Sequence, residues 1–239
     1  MTGDRAGRGR SGACVGAALI VAMAALGGCR LLGGSDGDGG GGSVADDGRT
    51  YELTAPATVL GGAYEKVDSI GGIAVRSGEL KGMKSLGVAH PEAVTAMYVA
   101  GKGTGQRSVS YSGVHGEVED PEKVVDALFA EMERQAAESD GAATYVGSPE
   151  EFTPAGFENG IMKCQTSEFR TSGPNPAAGE DGGEEKTYQN PMCVWGDHST
   201  VGYVSPTDAA AAARGEKPSL AATAKLTAEL RADVRVEAK

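Results

Sequence analysis

The feature that most constrains this chain is an apolar run from Ala13 to Leu26, closed by Gly27, Gly28 and Cys29. Arg5, Arg8 and Arg10 precede it, against one acidic residue, Asp4. A basic start, a short apolar middle and small residues before a cut make a secretory signal peptide. The run is about 14 residues, short of the roughly 20 that carry a helix across a bilayer, which disfavours a permanent transmembrane anchor. Residues 1–28 therefore stand outside the fold, and the chain beyond them is expected to fold outside the cytoplasm.

The junction Leu26-Gly27-Gly28-Cys29 resembles the bacterial lipobox, with Leu three places before a Cys and small residues between. Gly27 stands where Ala or Ser is commoner in that motif. The resemblance implies a cut between Gly28 and Cys29 and a diacylglyceryl group on the Cys29 sulfur, often followed by acylation of the amine. Two acyl chains anchor stably where one binds reversibly. The expected location is the outer face of the cytoplasmic membrane. The alternative is an ordinary signal peptide followed by an unrelated cysteine.

Beyond Gly28 the chain carries 19 basic and 32 acidic residues, a formal charge of −13. That balance argues against nucleic acid as a partner and against a polybasic grip on anionic lipid. The expected partners are the membrane, through the anchor, and an unknown envelope ligand or protein. Of the four cysteines, Cys14 lies in the signal and Cys29 is the lipid acceptor. Cys164 and Cys193 remain as one pair in an oxidising setting, which favours a disulfide. A metal site is the alternative for the pair, but it needs further ligands nearby.

Residues 29–49 comprise the lipidated Cys and a Gly/Asp-rich stretch with no apolar period. Such a segment cannot offset its ordering entropy and predicts a flexible tether, with an r.m.s. span of roughly 25 Å. Residues 50–239 are enough for one domain with a real core. Tyr51-Glu52-Leu53-Thr54 alternates as a short strand, broken by Ala55-Pro56, and residues 59–92 predict only short elements. Val94–Ala100 and Arg107–Ser112 flank Gly101-x-Gly103-x-Gly105 and predict a hairpin. Asp120-Pro121-Glu122 opens a helix, with a cap, a first-turn proline and an acid complementing the dipole. Its apolar stripe is Val124, Val125, Leu128, Phe129 and Met132, and Ser139-Asp140-Gly141 ends it.

Gly160–Arg170, Thr187–Gly196 and Val201–Ser205 predict three further strands. The first two are separated by Pro174-Asn175-Pro176 and an acidic, Gly-rich excursion, expected to be a mobile surface loop with the disulfide at its base. Ala-rich residues 208–213 add a helical turn. Pro218-Ser219 opens a last helix, with Leu220, Thr223, Leu226, Leu230 and Val234 on one face. Adjacent strands joined by short turns favour antiparallel pairing. The expectation is an α+β single domain: an antiparallel sheet packed against two main helices, with one disulfide.

The most pointed segment runs from Cys193 to Val204. Trp195, Asp197, Thr200, Gly202 and Val204 fit W-x-D-x-x-T-x-G-x-V, and Ala55-Pro56 precedes Gly61-Gly62-Ala63-Tyr64. Both resemble a family of actinobacterial secreted and membrane-anchored proteins. The resemblance spans most of the domain and implies no reaction. On the residues alone, Asp197 and Thr200 can satisfy amides in a tight turn, and Gly202 can leave room for the Trp195 indole. Alternatively Asp197 and His198 form an acid–base pair beside Ser199, although neighbours on a turn rarely aim at one point. His90, His115 and His198 lack metal-ligand spacing, so no metal is expected. The glycine loop lacks a dinucleotide or phosphate pattern, so no cofactor is expected. The function expected is a non-catalytic binding or envelope-associated module, its ligand on the sheet face near the disulfide. The alternatives are a cell-wall or peptide hydrolase using His198 with an acidic partner, and a transporter's solute-binding lipoprotein.

Overall fold

The structure, a computed structural model, describes residues 44–67, 77–138, 143–171 and 186–239, all within the unit Gly41–Lys239. The expected signal segment, Cys29, most of the expected tether and the excursion after β7 lie outside the described residues. The elements are β1 (Tyr51–Leu53), β2 (Thr58–Val59), β3 (Tyr64–Lys66), α1 (Ser77–Ser85), β4 (Val88–Ala100), β5 (Arg107–Val118) and α2 (Pro121–Glu138). Then come β6 (Ala143–Glu151), β7 (Ile161–Thr171), β8 (Lys186–Gly196), β9 (Thr200–Asp208), α3 (Ala209–Ala213), α4 (Leu220–Val234) and β10 (Arg235–Glu237). The fold is α+β. Eight strands pair antiparallel in the order β2-β3-β4-β5-β9-β8-β7-β6, and β1 pairs with β10 in a separate ribbon.

The sheet is covered on both faces, which explains why β8 is buried from Pro191 to Gly196. Side chains alternate along a strand. Cys193 and Trp195 enter the cluster that holds Ala224, Ala228, Leu230 and Val234 of α4, while Met192 and Val194 enter the cluster with Val124, Val125 and Phe129 of α2. A strand buried on both sides reads as a continuous apolar run. The stripe expected on α2 is the face it buries: Val124, Val125 and Phe129 fully, Leu128 and Met132 in part. Each fully buried side chain of that size contributes about 1.5–3 kcal/mol. Asp120 caps this helix by accepting from the Lys123 amide at 3.1 Å, and Ser219 caps α4 through the Ala222 amide at 3.3 Å.

Three differences from the sequence expectations have local causes. The hairpin strands β4 and β5 are longer than their apolar cores, because a bulge between Ala89 and Glu92 absorbs His90-Pro91. The strand β6 was hidden by Gly147 and Pro149; it is an edge strand with an irregularity between Val146 and Glu150, where proline is tolerated. The disulfide joins facing positions, Cys164 and Cys193, with Cα atoms 4.0 Å apart. It therefore sits inside the β7–β8 ladder, seven residues back from where each strand meets the excursion, and not at the excursion's base. Gly61 and Gly62 turn the chain between β2 and β3 with φ of 66° and 82°, values that a side chain disfavours.

Candidate functional site

The segment singled out in the sequence is the connection from β8 to β9, closed by the Asp197 amide donating to the Thr200 carbonyl at 2.8 Å. Asp197 is 2% exposed and every face of its carboxylate is engaged. Oδ1 accepts from the Ser199 amide at 2.9 Å and the Thr200 amide at 2.8 Å. Oδ2 accepts from the Thr200 hydroxyl at 2.7 Å and from Arg231 Nη2 at 2.8 Å. Arg235 Nε stands 3.0 Å from the same oxygen. Thr200 Oγ1 in turn accepts from the Trp195 indole N–H at 3.3 Å. Trp195, Asp197 and Thr200 thus form one buried chain of hydrogen bonds.

Gly202 lies opposite Trp195 in the ladder, and a Cβ there would overlap the indole. The ring fills the space that the missing side chain leaves, stacked 6.1 Å from Tyr111 at 9° between planes. Both motif functions foreseen for Asp197, Thr200 and Gly202 as a turn and a cradle are present in this geometry. Tyr111 and Tyr98 lie in the same core, and burial pushes the Tyr98 hydroxyl up to about 12.

His198 is only half-buried, and its ring lies between two main-chain carbonyls. Nδ1 is 3.0 Å from the Val118 oxygen and Nε2 is 3.0 Å from the Val44 oxygen. Among the described residues neither ring nitrogen lies at hydrogen-bond distance from a carboxylate. Ser199, 4% exposed, donates its hydroxyl to the Arg49 carbonyl at 3.3 Å. The three side chains of a possible catalytic group therefore point to three separate partners. His115 faces Glu92 at 3.6 Å, and among the described residues no group of three or more His, Cys, Asp or Glu comes together to hold a metal.

Two residues central to this site went unread in the sequence. Arg231 lies on the buried side of α4 with Thr227 and Val234, and its guanidinium covers the Phe157 ring at 4.8 Å. Arg235 follows the helix and stacks 3.1 Å from the Tyr51 ring centroid. The available signal was a charge at an apolar-face position, since Arg231 falls four residues after Thr227 and three before Val234. A basic residue in the last turn is ordinarily read as complementing the helix dipole. The sheet face near the disulfide, where a ligand was expected, is covered: Cys164 and Cys193 are 0% exposed and pack with α4. No helix among the described residues is long and apolar enough to cross a membrane. No protein family, curated protein or solved structure matches the chain.

Proposed function

We propose that the protein is a lipid-anchored extracytoplasmic module that binds a partner in the cell envelope without catalysis. The observation that carries the non-catalytic part is the engagement of Asp197 and His198. Both oxygens of the one are taken by the domain's own groups, and both nitrogens of the other are taken while residues 44–46 are docked. A general base needs a free lone pair within reach of a substrate proton. The anchor is supported by the Leu26-Gly27-Gly28-Cys29 junction and by the disulfide, a bond that persists outside the reducing cytoplasm. One eight-stranded sheet and a two-stranded ribbon, with no second lobe among the described residues, support a module over a two-lobed solute-binding protein. Phe169 and Tyr188 face each other across β7 and β8 and are 41% and 40% exposed, at the opposite end of β8 from Asp197. They offer an apolar surface for a partner.

Cys29→Ala is expected to move the protein from the membrane fraction into the soluble or secreted fraction. Unchanged partition with membranes contradicts the anchor.

A further inference from the structure

The last residues of the expected tether are not free of the domain. Residues 44–49 run over the turn between β8 and β9, with Val44 packed against the α2-side cluster. Asp47 accepts from the Tyr51 hydroxyl at 2.9 Å, Arg49 accepts through its carbonyl from Ser199, and His198 reaches the Val44 carbonyl. We propose that His198 is a pH-sensitive clasp that pins residues 44–46 to the domain as an imidazolium and releases them as a neutral imidazole.

Donor counting decides the state of the ring. A carbonyl oxygen can only accept, and His198 sits 3.0 Å from one on each side. Neutral imidazole has a single N–H, so both contacts are satisfied only when both nitrogens carry protons. Loss of one proton turns a lone pair toward a carbonyl lone pair. The Val118 side is fixed independently, because the Val118 amide donates to the His198 carbonyl at 3.0 Å and the Gly116 amide to the Ser199 carbonyl at 2.9 Å. Among the described residues no backbone hydrogen bond ties residues 44–46 to the domain, and the Val44 side rests on side-chain packing, so it is the one that opens.

Charged groups reach the ring from each element around it. Asp46 approaches from the segment itself, Asp197 from the turn, and Asp120 from the start of α2. Asp47, Arg49 and Arg235 line the same narrow crevice. Burial works against the charged ring. The Val44 and Val118 carbonyls, with Asp46 and Asp197, outweigh it and hold the imidazole above its usual value. A proton bound more tightly in the clasped state stabilises that state fully below the free value near pH 6.5. The stabilisation is lost as pH rises through the higher, clasped value. Opening residues 44–46 adds about 10 Å of chain to the tether. That change in reach rests on the lipid anchor, whereas the clasp is a property of the domain and can be tested without it.

The test is NMR of the full chain in detergent micelles across pH 5 to 9. The chain has three histidines, so the His198 ring signals can be assigned by loss in His198→Gln. The expected result is both ring nitrogens protonated at low pH, a midpoint above 6.5, and a shift of the Val44 carbonyl 13C signal at that midpoint. The Val44 carbonyl reports because it lies 3.0 Å from His198 Nε2. Asp46→Asn keeps the ring and is expected to lower the midpoint. In His198→Gln the Val44 carbonyl signal is expected to become independent of pH. A His198 midpoint at or below 6.5, or pH-dependent release that persists in His198→Gln, overturns the clasp.

Discussion

Asp197→Ala is expected to destabilise the domain by about 3–5 kcal/mol, the range for breaking a buried ion pair from one side. Two guanidinium groups converge on this carboxylate, and the Arg231 and Arg235 side chains are only 8% and 13% exposed. Removing the acid takes from Arg231 the carboxylate it donates to and leaves Arg235 with Asp47 as its neighbouring acid. It also removes the acceptor for the Ser199 and Thr200 amides and the Thr200 hydroxyl. For a domain of this size the loss corresponds to a fall in Tm of about 6–20 °C. Asp197→Asn keeps one acceptor oxygen while losing the charge, so its effect should be smaller. Arg231→Met in the Asp197→Ala background should recover part of the loss, because it withdraws one stranded charge. Thermal melts of the four proteins check this. If Asp197→Ala melts within a degree of the parent, the ion pairs of Asp197 with Arg231 and Arg235 are not what holds the turn to α4.

Replacing Cys164 and Cys193 by Ala is expected to cost about 3–4 kcal/mol, the chain-entropy value for closing a loop of this length. The bond spans a sequence separation of 29 and ties facing residues of β7 and β8. Its removal frees the unfolded chain more than it disturbs the folded one. The two strands remain paired along their length, and the vacated volume lies against α4. The expected signature in denaturant is a lower midpoint with an altered slope, since the reference state expands. An unchanged midpoint in the presence and absence of reductant contradicts this.

The elements legible in the sequence were those whose pattern and punctuation agree. The helix α2 has a cap, a first-turn proline and a clean stripe, and β8 turns into β9 over residues that favour a turn. The disulfide followed from elimination, since Cys14 and Cys29 had other assignments. The parts that were not legible depend on contacts distant in sequence. The strand β6 carries Gly147 and Pro149, and only its place at the sheet edge makes those residues tolerable. The role of Arg231 is visible only when α4 is laid beside the turn at Asp197, 34 residues away. The same holds for Val44, whose carbonyl meets His198 across a separation of 154 residues. Asp197 and His198 adjacent in sequence invited an acid–base pair. The fold turns the first toward α4 and the second toward the start of the domain, so proximity along the chain carried no information about shared chemistry.

The proposed placement at the membrane surface depends on what is attached at Cys29. Intact-mass measurement of the protein recovered from membranes tests this most directly. The expected mass is that of a chain beginning at Cys29 plus a diacylglyceryl group, with or without a third acyl chain on the amine. A mass matching an unmodified N-terminus contradicts the anchor and removes the basis for that placement.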